Sequence, residues 1–208
     1  MRICSLLPSA TEIVAELGVV GSLVGISEEC DWPHEVRDLP VVTASRVDTT
    51  WLSSLEIDKA VRACVADAPT RSVFVAEWLE PPYAAGHWIP EMVEIAGGRD
   101  VLGHAGAPSY PTSWETVREA QPELVVVAPC GFDHTRAARE ATLPPLACRA
   151  VAVDSNTYYA RPAPRLAEGI AQLAFLIHPD LVDDPGLPYL ELATPTPPGP
   201  AILGDVAR

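Results

Sequence analysis

Short continuous apolar runs alternate along this chain with stretches in which apolar residues recur every third or fourth position. The first pattern predicts strands and the second amphipathic helices. Residues 2–7 (RICSLL) read as a first strand. A helix over Ala10–Leu17 follows, with Ile13, Val14 and Leu17 on one face, a Ser9–Glu12 capping box and Gly18 as its stop. Leu23–Ile26 and Pro40–Thr43 predict two more strands, and Ser54 predicts the cap of a helix through Ile57, Val61 and Cys64.

A second set begins at Ser72. Strand SVFVA leads into EWLEPPYAAGHW, then a helix over Pro90–Ala96 ends on Gly97-Gly98. Thr112 and Glu115 predict a second capping box, for a short helix to about Ala120. Strand LVVVA breaks at Pro129-Cys130-Gly131, a helix over Thr135–Ala141 leads to strand AVAVD, and a last helix spans Pro164–Ile177. This alternation predicts an α/β fold: two lobes of parallel-type sheet flanked by helices, with ligands gathering at the carboxyl ends of the strands. The expected divisions are a short first lobe over 1–68, a fuller one over 69–178, and a tail over 179–208. Seven of the 22 prolines lie in that tail, which therefore reads as extended and mostly disordered.

Charge narrows the function. The net charge is −14 with a single lysine, Lys59, so the chain lacks the basic cluster that nucleic acid or an acidic membrane requires. Five cysteines form no CxxC pair, which argues against a disulfide framework or a zinc knuckle and for buried thiols. No charged run precedes the first apolar stretch, and Pro8 and Glu12 interrupt it, so the sequence as written reads as cytoplasmic rather than exported.

Three groups of residues are candidates for chemistry. The loop GISEECDWPHE holds Cys30, His34 and carboxylates, but Pro33 separates the two metal-ligand types, and a ligand rim carrying Trp32 is the sharper reading. Cys130 follows a strand, with His134 four residues on, yet no GxSxG, Walker or GxGxxG motif completes a catalytic apparatus. The aromatics Trp78, Tyr83, Trp88, Tyr110, Phe132, Tyr158 and Tyr159 all fall in loops or at element ends. So many rings at the strand ends of one sheet point to the wall of a cleft for a large, flat, mostly uncharged ligand.

The blocks SLLPSATEIVAELG, LVGISEECDWP, EWLEPPYAAGHWIPEMVEIAGG, APCGFD and VDSNTYYARPAPRL resemble the cobalamin/iron-chelate class of ABC-transporter substrate-binding proteins, most closely the corrinoid-binding branch. The resemblance implies a class III periplasmic-binding-protein-like fold, with a vitamin B12-like corrinoid held between two lobes, no catalysis and no cofactor. Its implied partner is an ABC permease, met by Glu115 in the second lobe and Glu56 in the first. It places Tyr110 where a cleft aromatic stands, and Trp51 one residue away from a second. Glu28 replaces a histidine of the family pattern, and the first lobe is shorter than the family's by about 60–100 residues on domain-size grounds. The alternatives are a shortened cytoplasmic binder of a corrinoid or other tetrapyrrole, a vestigial protein that has lost binding and, behind both, an enzyme using Cys130. Pairing of two chains as a homodimer would rebuild a cleft.

Overall fold

The computed structural model describes residues 1–28, 30–43 and 56–194, and the side chains of 56–58 are not among those described. Trp51, Ser54 and the Glu56 side chain therefore lie outside the described residues. The chain is α/β and divides into two units, Met1–Val47 and Asp48–Arg208. The boundary expected near residue 68 falls earlier, because the helix Glu56–Val65 packs on the long helix Leu166–Ile177 of the second unit.

In the first unit, β1 (Ile3–Ser5), β2 (Leu23–Ser27) and β3 (Val41–Thr43) form a parallel sheet in that order, with α1 (Pro8–Glu16) between β1 and β2. Leu23, Ile26, Cys30 and Val36 are its buried core, and Ile3, Val14, Val20 and Leu39 pack against them. The helix starts at Pro8, two residues before the expected position, since proline's fixed φ and missing N–H suit a first helical turn. Leu7 is consequently the N-cap, with no side-chain cap, and the Ser9–Glu12 box does not form. Ile13 and Leu17 are exposed, so of the predicted helix face only Val14 reaches this core. All three residues of the edge strand β3 are exposed.

The second unit opens with α2 (Glu56–Val65) and the nine-residue β4 (Arg71–Leu79). There follow β5 (Pro82–Ala84), α3 (Ile89–Ile95), β6 (Gly98–Asp100), β7 (Tyr110–Pro111), α4 (Trp114–Glu119), β8 (Leu124–Val127), α5 (His134–Glu140), β9 (Arg149–Val153), α6 (Ser155–Tyr158), α7 (Leu166–Ile177) and β10 (Tyr189–Leu192). The sheet runs β10-β9-β8-β4-β5-β7, and β6 pairs with the start of β4. β4, β8 and β9 are parallel at its centre, whereas β10, β5 and β7 join antiparallel. The sheet is therefore mixed, not purely parallel.

Central strands read as unbroken apolar runs because both faces are covered. Phe74, Ala76, Val125, Val127, Ala150 and Ala152 share one core cluster with Val117 of α4 and Ala137 of α5. Alternate residues Val73, Val75, Val126, Val151 and Val153 are equally buried, on the face that period-two geometry assigns to the opposite side. On that side α7 packs on α2 and α3.

Of the tail expected over 179–208, residues 195–208 lie outside the described residues. In the described part Tyr189–Leu192 form an edge strand, with Tyr189 opposite Val153 and Leu192 opposite Ala150. Arg149 fixes it: its guanidinium grips Glu191, and Nη1 donates to the Leu176 carbonyl over 2.8 Å. Gln172 of α7 adds a bond to the Pro188 carbonyl at 3.3 Å.

Candidate functional site

The stretch after SVFVA is not a free loop. β4 runs on through Trp78 to Leu79, turns at Glu80-Pro81, and returns as β5, so that Trp78 stands opposite Tyr83. Residues paired this way across a hairpin carry their side chains together on one face. The chain then makes a close crossing. His87 has φ 52°, its N–H donates to the Ala107 carbonyl over 2.6 Å, and its own carbonyl accepts from Gly106 N–H at 2.7 Å. Gly86 makes that approach feasible, because a Cβ there would collide with the backbone of Ala107, Pro108 and Ser109.

These segments, with the carboxyl ends of β4, β8 and β9, enclose a pocket of about 400 Å³. Trp78, Tyr83, Trp88, Ile89 and Tyr159 supply its apolar wall, and Glu77, His87, Ser109, Cys130 and Ser155 its polar points. Trp78 is 41% exposed and leans edge-on against Phe132 at 5.5 Å. Trp88, the N-cap residue of α3, is 9% exposed and donates from Nε1 to the Tyr159 carbonyl over 2.7 Å. The Tyr159 ring is fully buried and its hydroxyl donates to Gln172 Oε1 at 2.8 Å. Burial pushes that phenol's pKa up.

Glu77 is the pocket's carboxylate. Burial raises its pKa, and this is opposed by the Gly86 N–H at 3.0 Å, the Ser109 hydroxyl and the nearby His87. Behind this wall Asp100, at the end of β6, accepts from Leu102 N–H at 3.0 Å and Gly103 N–H at 2.6 Å. Burial nevertheless pushes the Asp100 pKa up to about 6.

The structure sorts the sequence candidates. Trp78, Tyr83 and Trp88 line the one pocket. Phe132 is buried in the core and supports Trp78 from behind, while the Arg136 guanidinium lies 3.6 Å from its ring centroid. Tyr110 does not reach the pocket: its hydroxyl donates to the Leu102 carbonyl at 2.7 Å and its ring stacks on His104. Tyr158 is also outside, because α6 turns its neighbour Tyr159 inward instead. Trp32 belongs to the first unit, is 54% exposed and meets the His34 ring edge-on. Among the described residues no group of three or more Cys, His or carboxylate side chains is arranged to hold a metal ion.

Glu115 is exposed in the first turn of α4 and pairs with Arg118 at 3.6 Å. It is not the partner of Thr112 in a capping box. The N-cap is Ser113, whose hydroxyl accepts from Thr116 N–H. The sequence reading did not single out His87 and Ser109. Their signal was the glycine before His87, which implies a close backbone approach, but the opposing segment lies twenty residues on.

No protein-family model and no curated protein matches the sequence. Among solved structures the chain is similar to a periplasmic heme-binding protein of Pseudomonas aeruginosa, at 17% identity and a TM-score of 0.46, over 94% of this chain and 99% of that one. It is similar to the periplasmic vitamin B12-binding protein of Vibrio cholerae at 17% identity and a TM-score of 0.46, over 85% and 96%. An ABC-transporter substrate-binding protein of Listeria monocytogenes aligns at 12% identity and a TM-score of 0.49, over 86% and 99%. Among the described residues no helix is long and apolar enough to cross a membrane.

Proposed function

We propose that this chain is a binding protein for a large, flat metal chelate, a corrinoid in preference to haem, and that it serves as the solute-binding component of an ABC transporter. The observation that carries this reading is the cluster of Trp78, Tyr83, Trp88 and Tyr159 around one pocket at the strand ends of a helix-covered sheet. Aromatic walls bury much area at low entropic cost and suit a planar face. At about 400 Å³ the pocket grips one face of such a ligand instead of enclosing it.

Charge supports the corrinoid over haem. Among the described residues the pocket wall contains no lysine or arginine, and Glu77 is its carboxylate. Two haem propionates would meet no cation among these described residues, at the desolvation cost of unpaired charge. A corrinoid rim of neutral amides meets instead hydroxyls, a carboxylate and an imidazole, all able to hydrogen-bond to it. The sequence blocks that resemble the corrinoid-binding branch include both sides of this pocket, EWLEPPYAAGHW and VDSNTYYA. Exposed Glu115 offers a charged point for a basic permease surface.

Titration of the purified protein with cyanocobalamin, dicyanocobinamide and haemin, read by calorimetry and visible absorbance, tests the reading. Saturable binding of a corrinoid, tighter than that of haemin, is expected. Binding of haemin alone would replace the corrinoid by haem, and binding of none would remove the chelate reading.

A further inference from the structure

The pocket wall carries several atoms that can bind a metal, and their hydrogen bonds separate them. The Glu77 carboxylate is held by Gly86 N–H and the Ser109 hydroxyl. The Tyr159 hydroxyl is spent on Gln172. Cys130 is exposed, on the turn after β8. His87 differs from these. Its ring lies in the wall, tilted 40° to the Trp88 ring at 5.8 Å, and among the described residues no hydrogen bond holds either ring nitrogen.

Its backbone, by contrast, is held firmly. A histidine at φ 52° occupies the sparsely populated left-handed region, and such a residue persists only where the surroundings determine it. Here the surroundings are the two short hydrogen bonds to Ala107 and Gly106 and the close approach at Gly86. The result is a fixed main chain that presents an uncommitted imidazole among aromatic rings. Neutral imidazole binds a metal without giving up a proton, unlike a phenol or thiol. The negative carboxylate of Glu77 nearby favours charge donation from the ring.

We infer that His87 supplies an axial ligand to the metal of the bound chelate, a site class that includes cobalt(III) corrinoids with an exchangeable axial water. The inference rests on the chelate-binding reading proposed above. In the step a ring nitrogen donates its lone pair to the metal and one water leaves, with no change of oxidation state. The His87 site therefore selects chelates with a replaceable axial ligand over those with both positions blocked.

Two cobinamides separate this from simple stacking. Dicyanocobinamide has both axial positions filled by cyanide, and aquocyanocobinamide has one exchangeable water. The full chain is expected to bind aquocyanocobinamide with a shift of its visible bands to the position given by free imidazole. His87→Ala and His87→Asn are expected to abolish that shift and to weaken aquocyanocobinamide at least tenfold more than dicyanocobinamide. Asn tolerates the left-handed backbone, so this pair of variants separates loss of the ring from loss of the turn. Added imidazole should restore the bands in either variant. A parent that binds both cobinamides without a band shift, or variants that keep the shift, would overturn axial ligation and leave the chelate reading standing. A parent that binds neither would overturn both.

Discussion

The indole N–H of Trp88 donates to the main-chain carbonyl of Tyr159 over 2.7 Å, joining residues 71 positions apart. That bond ties the start of α3 to the end of α6, and both residues line the pocket. Trp88 is thus part of the wall and part of what holds the wall together. Trp78, at 41% exposure, lacks the second role.

The two tryptophans should therefore respond differently to mutation. Trp88→Ala removes a buried ring and leaves the Tyr159 carbonyl unpaired, and is expected to destabilise the fold by about 3–5 kcal/mol. Trp78→Ala should cost less than about 1.5 kcal/mol of stability but weaken corrinoid binding by about 1–3 kcal/mol. Urea unfolding and ligand titration of both variants measure this. Equal losses of stability would show that exposure is not what separates them.

Asp100 should give a recognisable pH signature. Its folded pKa is raised by burial from 3.8 to about 6, so the folded state holds the proton more tightly than the unfolded chain does. The group's contribution to stability therefore rises as pH falls from above 6 toward 4, and is lost as pH rises through the folded value. Asp100→Asn keeps an oxygen to accept from Leu102 and Gly103 N–H while removing the charge. The variant is expected to be more stable than the parent by about 1–3 kcal/mol at pH 7.5, at roughly 1.4 kcal/mol per pKa unit, and nearly equal to it at pH 4. A gap of the same size at both pH values would exclude titration of this carboxyl as the cause.

Glu115→Gln should be almost silent in stability. The carboxylate is exposed and its partner Arg118 lies at 3.6 Å in water, an arrangement worth less than about 1 kcal/mol. Because Ser113 caps the helix, no capping bond is lost. Association with a cognate permease in detergent is expected to weaken and to lose its salt dependence. Glu56→Gln added to it should weaken association further, as expected for paired anchors. Unaltered association in the double variant would place docking elsewhere.

Removal of the edge strand should expose a weakness in the sheet. Truncation after Asp184 deletes β10, leaving the β9 edge unpaired and Arg149 without Glu191. Unpaired strand edges template association, so the shortened chain is expected to unfold at lower urea concentration and to scatter light at concentrations where the parent does not. Arg149→Ala should reproduce part of the loss. A truncated chain that remained monomeric with the parent's midpoint would make β10 dispensable.

The parts legible in the sequence were those set by local pattern. VFVA, LVVVA and AVAV are apolar at every position because both faces of a central strand are buried, and each lies in a central strand of the sheet or runs just past its end. Leu166–Ile177 carries its period over three turns and forms the helix expected there. Trp78, Tyr83 and Trp88 were identifiable because rings crowd a strand end where a core has no use for them.

What the local pattern could not settle depends on partners distant in sequence. Competing caps lie one or two residues apart, and proline geometry decided for Pro8 while the Ser113 hydroxyl decided for α4. Tyr158 and Tyr159 are adjacent and alike, and only the packing of α7, with Gln172 ready to accept the hydroxyl, selects Tyr159 for the interior. The tail is rich in proline and poor in periodicity, yet β9 offers an open edge and Arg149 a charge for Glu191, so four of its residues become a strand. His87 needed the same long-range information: a single histidine after a glycine has no distinguishing sequence pattern, and the segment at 106–109 gives it its fixed backbone and its place in the pocket. Strands and helices follow from nearest neighbours in the chain, whereas the site follows from neighbours in space.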